Sequence, residues 1–399
     1  ARVYVQGRNS AKSYLFKYSC FITNIQAMGT SQSVALKEKT VVVIGCSFGG
    51  KAVAYPLRGQ CKLIVIDPRE AMHITIAAPR ACVEPGFAKR VLIPLREVFG
   101  DSFEQDTVEK ISPAAGQVVL SNGKEISYDY LVIATGTTGP FPGKLQNDCT
   151  IDQALDLYRD ACEKVKAAKT VVIIGGGAVG VEIAGEVATD YPDKEVTIIH
   201  ARDSLVEPAT SDTFRASVQK QLEELNVKLV FGEKVTNLDD IPRDLSGATV
   251  LTDKGKSIQA DVVFVCIGSS INNQAYADEL GSKMDARGSL QVNQYLQVEG
   301  HENIFAVGDC CNADIQKMAY RAGEQGKAVY HNIVQHASGY PLKPYKSPCV
   351  MFALSIGRHR GQLQNGNMVL GSWLMKRVKS HDLFTGKMWG ECGLKPPKN

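Results

Sequence analysis

TVVVIGCSFGG, residues 40–50, decides how this chain is read, because a near copy, TVVIIGGGAVG, returns at residues 170–180. Each opens with a short β-branched run, the pattern of a strand buried on both faces of a parallel sheet. Each then enters a glycine-rich turn of the kind that starts a helix and cradles a pyrophosphate on its N-terminal N–H groups. The pattern calls for glycine at the first, third and sixth positions. The second copy has all three, Gly175, Gly177 and Gly180, whereas the first has Gly45 and Gly50 with Ser47 between them. Serine keeps the turn small and adds a hydroxyl, so both copies are read as dinucleotide-binding turns.

The repetition extends beyond the turns. A second strand follows each, KLIVID (62–67) and EVTIIH (195–200). Later, VVLSNGKEISYDYLVIATG (118–136) is answered by TVLTDKGKSIQADVVFVCIG (249–268), each with a turn before an apolar strand that ends in glycine. From first to last glycine the two units span 91 residues (45 to 136) and 93 residues (175 to 268). The expected fold is therefore α/β: two doubly wound, Rossmann-like domains, one inserted in the other, plus a small C-terminal α+β region. The expected parts are an extension (1–37), a flavin domain in two pieces (38–148 and 291–340), a nicotinamide domain (149–290) and a C-terminal region (341–399).

Two such domains imply two dinucleotides, most economically FAD and NADH or NADPH, stacked for hydride transfer. In unit one the FAD turn is Gly45, Cys46, Ser47, Phe48, Gly49 and Gly50. Asp67, 22 residues after Gly45, is placed to accept ribose hydroxyls. In unit two the second strand ends in His200-Ala201-Arg202 with no acid, so Arg202 is read as accommodating a 2′-phosphate, beside NADH use. Glu182, placed in the first turn of its helix, is read as orienting the nicotinamide carboxamide, against the plain alternative of a dipole-favoured acid. Asp309, at the end of NIFAVGD, is read as a ribityl-binding carboxylate, against the alternative of a helix N-cap.

The eleven cysteines are scattered with no Cys-x-x-Cys or Cys-x4-Cys pair. That argues against a disulfide scaffold, a structural zinc site and a dithiol relay, so electrons should pass to a diffusible acceptor such as a quinone or oxygen. No apolar run approaches the roughly 20 residues that span a bilayer. A net charge of +3, with 45 basic residues against 42 acidic, argues against nucleic acid as the main partner. Residues 1–27 are basic and acid-free, as in a transit peptide, and are followed by MGTSQS, an N-myristoylation pattern that places the acyl group on Gly29 if Met28 is the start.

Read together, VVVIGCSFGG, RACVEPGFAKR, YDYLVIATGTTGPFPGK, VVIIGGGAVGVEIAGEV, EVTIIH, NIFAVGDC, KMAY and KSHDLF resemble the ferroptosis suppressor proteins. These are homologues of apoptosis-inducing factor and relatives of type II NADH dehydrogenases. The resemblance covers residues 28 to 390. It implies NAD(P)H-dependent reduction of membrane quinones, ubiquinone or vitamin K, to radical-trapping quinols on an FAD that can be carried as 6-hydroxy-FAD. By position it implies flavin contacts at Gly45 to Gly49, Arg80, Val108 and Asp309, a catalytic pair Glu182 and Lys379, and Phe384 at the quinone end. It also favours myristoylation of Gly29 and a place on the cytoplasmic face of plasma membrane and lipid droplet, with mitochondrial association as the alternative. A hydrogen peroxide-producing oxidase and a DNA-binding death effector are the competing functions. On the residues alone, Lys379 belongs to a solvated basic face of an amphipathic helix over WLMKRVKSHDLF (373–384), a face suited to anionic lipid.

Overall fold

A computed structural model describes residues 36–398. Gly29 lies outside the described residues. The two units form two parallel sheets. In the first, β1 (Thr40–Ile44), β2 (Lys62–Ile66), β3 (Phe103–Glu104) and β4 (Tyr130–Ile133) are joined by a strand that arrives only after the second unit. The second contains β5 (Thr170–Ile174), β6 (Glu195–His200), β7 (Lys228–Phe231) and β8 (Val262–Val265) in the spatial order β7–β6–β5–β8. The late strand, β9 (Ile304–Ala306), pairs in parallel with β4 and completes the first sheet as β9–β4–β1–β2–β3. One doubly wound domain is therefore inserted in the other, as the repeat implies.

The register makes the duplication concrete. Ile44 pairs with Ile66 and Ile174 with Ile199, so the next residue of each second strand, Asp67 or His200, reaches the same corner of its turn. Helix α1 (Phe48–Leu57) follows the first turn. In the second unit α2 (Ile151–Ala167) leads into β5, α3 (Ala178–Asp190) follows the turn, and α4 (Asp212–Glu223) joins β6 to β7. Thr150 and Gln153 close a capping box on α2, so that entry is specified locally.

The turns show why some glycines are obligatory and Ser47 is tolerated. A Cβ on Gly50 would sit 1.9 Å from the Gly45 carbonyl oxygen, and one on Gly180 would sit 2.0 Å from that of Gly175. By contrast, a Cβ on Gly177 meets nothing within 4 Å, and Ser47 occupies the equivalent place with an ordinary extended backbone (φ −100°). The fold demands the first and third glycines, and only a close-lying ligand demands the second. Gly49 answers to α5 (Ala319–Ala337), whose Gly326 would place a Cβ 2.4 Å from the Gly49 oxygen.

The C-terminal region is an antiparallel meander, β10 (Met351–Ile356), β11 (Arg360–Asn365) and β12 (Met368–Leu370), then a helical stretch and α6 (Thr385–Glu391). The stretch after β12 is not one amphipathic helix. It is an α-turn, Ser372–Met375, followed by a π-turn, Lys376–Ser380, and then Leu383 and Phe384 in the left-handed region (φ 52° and 60°). In a regular helix Lys379 would share a face with exposed Lys376. The wider π-turn breaks that phase and Lys379 is buried. Helix α6 is tied down by Lys51 to Glu391 (2.5 Å) and by the Trp389 indole N–H to the Arg90 carbonyl (2.9 Å).

Helix α3 lies hard against β10. A Cβ on Gly185 would fall 2.7 Å from the Ile356 Cα. Gly185→Ala should therefore destabilise the protein by about 1–3 kcal/mol despite its helix propensity. Gly323→Ala, in open space on α5, should stabilise by up to about 1 kcal/mol. Denaturant unfolding of the two variants checks the contrast.

Candidate functional site

The flavin side is assembled around the first turn. The Cys46 N–H donates to Asp67 Oδ2 (2.8 Å), and Arg69 binds the same carboxylate through Nε (3.0 Å) and a terminal nitrogen (3.1 Å). Burial pushes the Cys46 thiol well up, with Asp67 adding to it, so this cysteine is a packing residue and not a nucleophile. Asp309 follows β9 in a single 3-10 turn, receives the Thr137 hydroxyl (3.0 Å) and has Lys144 Nζ at 3.8 Å. It caps no helix, since α5 begins ten residues later with Met318 at its N-cap. Burial lowers Lys144 from the usual lysine range, while Asp309 opposes that shift and Arg69 adds to it. A cavity of about 570 Å³, lined by Pro68, Gln105, Thr107, Thr138 and Gln146 among others, opens beside this row.

This donor set fits FAD: the Asp309 carboxylate, the Lys144 ammonium and a glycine turn whose first and third positions admit no Cβ, while the 1% exposed Asp67 carboxylate, held by the Cys46 N–H and Arg69, shapes the turn from behind. Gly45, Cys46, Ser47, Phe48, Gly49, Gly50, Asp67 and Asp309 are brought together there. Two residues carried over by resemblance are engaged within the protein itself. The Val108 side chain is buried in the core with Ile44 and Ile66, so a cofactor contact there is left to main-chain atoms. Arg80 is 1% exposed and its guanidinium is engaged by Glu186 (2.8 Å) and by the His381 carbonyl (3.0 Å). Burial pushes the Glu186 carboxylate up and Arg80 opposes it. Arg80 is thus the pin between α3 and the C-terminal segment, since a buried charge needs a partner.

The second centre sits where α3, β10 and the π-turn meet. Glu182 is the fifth residue of α3, past the first turn, so the helix dipole does not account for it. Its Oε1 accepts from Lys379 Nζ (2.5 Å), the Ser355 hydroxyl (3.0 Å) and the Ser355 N–H (3.2 Å). Three donors on one oxygen leave Oε2 with no hydrogen-bond partner among the described residues. Lys379 spends a second N–H on the Ala353 carbonyl (2.9 Å), which leaves one for a substrate. Both charged groups are about 95% buried, so Lys379 is no solvated surface cation. Phe384, half-buried, precedes α6 with its N–H on Asp382 Oδ1 (3.1 Å). Sequence reasoning missed Ser355, Lys144, Thr137 and Arg69. Lys144 closes the PFPGK stretch already quoted, whereas nothing local singles out Ser355.

In the nicotinamide unit, Gly175, Gly177 and Gly180 form the turn before α3. His200 Nδ1 accepts the Gly176 N–H (3.1 Å), matching the bond from Cys46 to Asp67 in the first unit. Arg202 is exposed on the loop beyond.

These features define a two-dinucleotide flavoprotein reductase, and the comparisons agree. The chain belongs to the pyridine nucleotide-disulphide oxidoreductase family, whose model matches residues 39–326. It is 40% identical to ferroptosis suppressor protein 1 of Taeniopygia guttata over 90% of this chain and 96% of that one. It is 32% identical to apoptosis-inducing factor homolog A of Dictyostelium discoideum over 94% and 97% of the two chains. Among solved structures, the sulfide:quinone oxidoreductase of Aquifex aeolicus superposes with a TM-score of 0.72 at 21% identity, covering 90% and 93% of the two chains. The resemblance read from the motifs is thereby shown, and the chain is a pyridine-nucleotide oxidoreductase. The family's name carries a disulphide that has no counterpart at the cysteine spacings of this chain.

Glu182→Ala should lower turnover with NADH or NADPH by about a hundredfold while flavin absorbance is retained, since Glu182 makes no bond within the flavin row. Lys379→Ala, which strands a buried carboxylate, should lose about 3–5 kcal/mol as well as turnover. Steady-state kinetics with denaturant unfolding of the same preparations measures both.

Proposed function

We propose that the chain is an FAD-dependent NAD(P)H:quinone oxidoreductase, making quinols that trap lipid radicals and suppress ferroptosis. The observation that carries this is the buried Glu182–Lys379–Ser355 cluster at the junction of the nicotinamide helix and the C-terminal region. The names of its relatives support it: ferroptosis suppressor protein 1 for the role and, in the Aquifex enzyme, a quinone acceptor. FAD, whether unmodified or 6-hydroxylated, would be held by the turn at 45–50, which Asp67 braces, and by Asp309, and would supply a ring that takes a hydride and passes on electrons.

The chain's own residues supply position and charge. Glu182 Oε2, left unpaired while Oε1 takes three donors, accepts the nicotinamide carboxamide N–H, fixing the ring face. Ser355 and Lys379 hold that carboxylate in place. The remaining Lys379 N–H donates to a quinone oxygen as negative charge develops there, the electrostatic role of a preorganised cation in a dry site. Overall NAD(P)H, a proton and quinone become NAD(P)⁺ and quinol. Phe384 lines the acceptor end.

The substrate is lipid-soluble, and the protein meets it at a membrane surface. No helix among the described residues is long and apolar enough to cross a bilayer. Myristate on Gly29, with exposed Trp373, Met368, Lys376 and Arg377 beside the catalytic cluster, is the proposed anchorage. The cationic side chains complement anionic headgroups at the cytoplasmic face of plasma membrane and lipid droplet.

With a short-chain ubiquinone, nicotinamide oxidation should rise at least tenfold over the quinone-free rate and peroxide should fall. Parallel absorbance and peroxide assays measure this. Quinone-independent turnover with stoichiometric peroxide would show an oxidase instead.

A further inference from the structure

Asp314 stands in the loop between Asp309 and α5 and is 4% exposed. Four side chains donate to its carboxylate. Arg321 (2.5 Å) and the Ser347 hydroxyl take Oδ1, while Gln325 Nε2 (2.7 Å) and the Tyr345 hydroxyl (2.7 Å) take Oδ2. Burial pushes this carboxyl up, but the bonds from Ser347, Tyr345, Gln325 and Arg321 outweigh it, and Asp314 lies below the usual carboxylate range. Arg321 alone would balance the charge, so the other three donors are ordered around a group already neutralised.

Gln325 shows what that order achieves. It is 2% exposed, and its Oε1 accepts the Gly308 N–H (2.7 Å) while its Nε2 donates to Asp314. An amide turned over would set its NH2 against the Gly308 N–H and its oxygen against a carboxylate, so only one orientation is satisfied. Asp314 thus dictates which end of Gln325 meets Gly308. Gly308, at φ 80°, opens the single 3-10 turn that carries Asp309. The helix behind the amide is fixed as well, since the next residue, Gly326, is the one seated on the Gly49 oxygen of α1. Tyr345 and Ser347 lie on the segment that leads into β10, so the same carboxylate ties the C-terminal region to the Asp309 turn.

We propose that Asp314 and Gln325 are positioning residues for FAD: the carboxylate orients the amide, and the amide holds the Gly308–Asp309 turn so that the Asp309 carboxylate meets the flavin's ribityl chain. This rests on the flavoprotein reading above and specifies what sets Asp309 in place. FAD dissociation constants are taken from the release and rebinding of flavin by full-length protein, read from free-flavin fluorescence. Gln325→Leu should weaken FAD about tenfold, the loss of one buried bond to the turn. Asp314→Asn, which lets the amide turn over, should weaken it to a similar extent and add little to Gln325→Leu. In an Asp309→Ala background each should change the constant less than about twofold, because the group through which they act is gone. Tyr345→Phe, at a half-buried position, should weaken FAD about threefold with the same dependence on Asp309, and it gives the answer where a fully buried variant does not fold. Equal effects with and without Asp309, as general loosening would produce, overturn the proposal. So does unchanged FAD affinity in folded Gln325→Leu or Tyr345→Phe protein. The expected pattern in a protein that reduces no quinone would uphold the positioning role and sink the quinone-reductase reading.

Discussion

A carboxylate and an ammonium, both almost wholly withdrawn from water and 2.5 Å apart, set the conditions for the rest of the molecule. Neither can be buried alone, because the desolvation of a lone charge costs several kcal/mol. Glu182 therefore enters the interior only if the chain delivers Lys379 to it from 197 residues away. Strand β10 must arrive as well, with Ala353 and Ser355 as further partners. The C-terminal meander, the π-turn and the bare surface of α3 at Gly185 all serve that meeting. Arg80 and Glu186, one turn further along α3, repeat the device and bind the same helix to the C-terminal segment.

The two glycine turns separate what a fold requires from what a ligand requires. Their first and third glycines are dictated by neighbouring atoms 1.9–2.6 Å from any added Cβ. The middle position is sterically free, so serine stands there in the first turn and glycine in the second. The same duplication exposes a corner at which the units differ chemically, a carboxylate beside a guanidinium in one and an imidazole beside a guanidinium in the other.

Much of this was legible in the chain itself. The two sheets, their parallel register, the insertion of one unit in the other, and the placing of Asp67 and Asp309 all follow from β-branched runs, turn glycines and their spacing. These features act over a few tens of residues and are imposed by sterics and backbone hydrogen bonding, which sequence periodicity reports directly. The resemblance added Glu182 and Lys379 as a pair. The residues alone had placed Lys379 on a solvated face, because a regular helix was assumed across 373–384.

What only the tertiary structure decided are the long-range partners. Ser355 carries no local signature, and its role exists because β10 crosses α3 within contact distance. Arg80 is pinned by Glu186, Val108 turns into the core, and a π-turn rotates Lys379 inward. For Ser355, Arg80 and Lys379 the deciding term is burial of a polar or charged group against a partner more than 100 residues distant, or a break in helical phase stabilised by that burial. Composition, spacing and turn chemistry determined that this is a two-dinucleotide reductase. Desolvation, which depends on what lies on every side of a group, decided which atoms remain free to act.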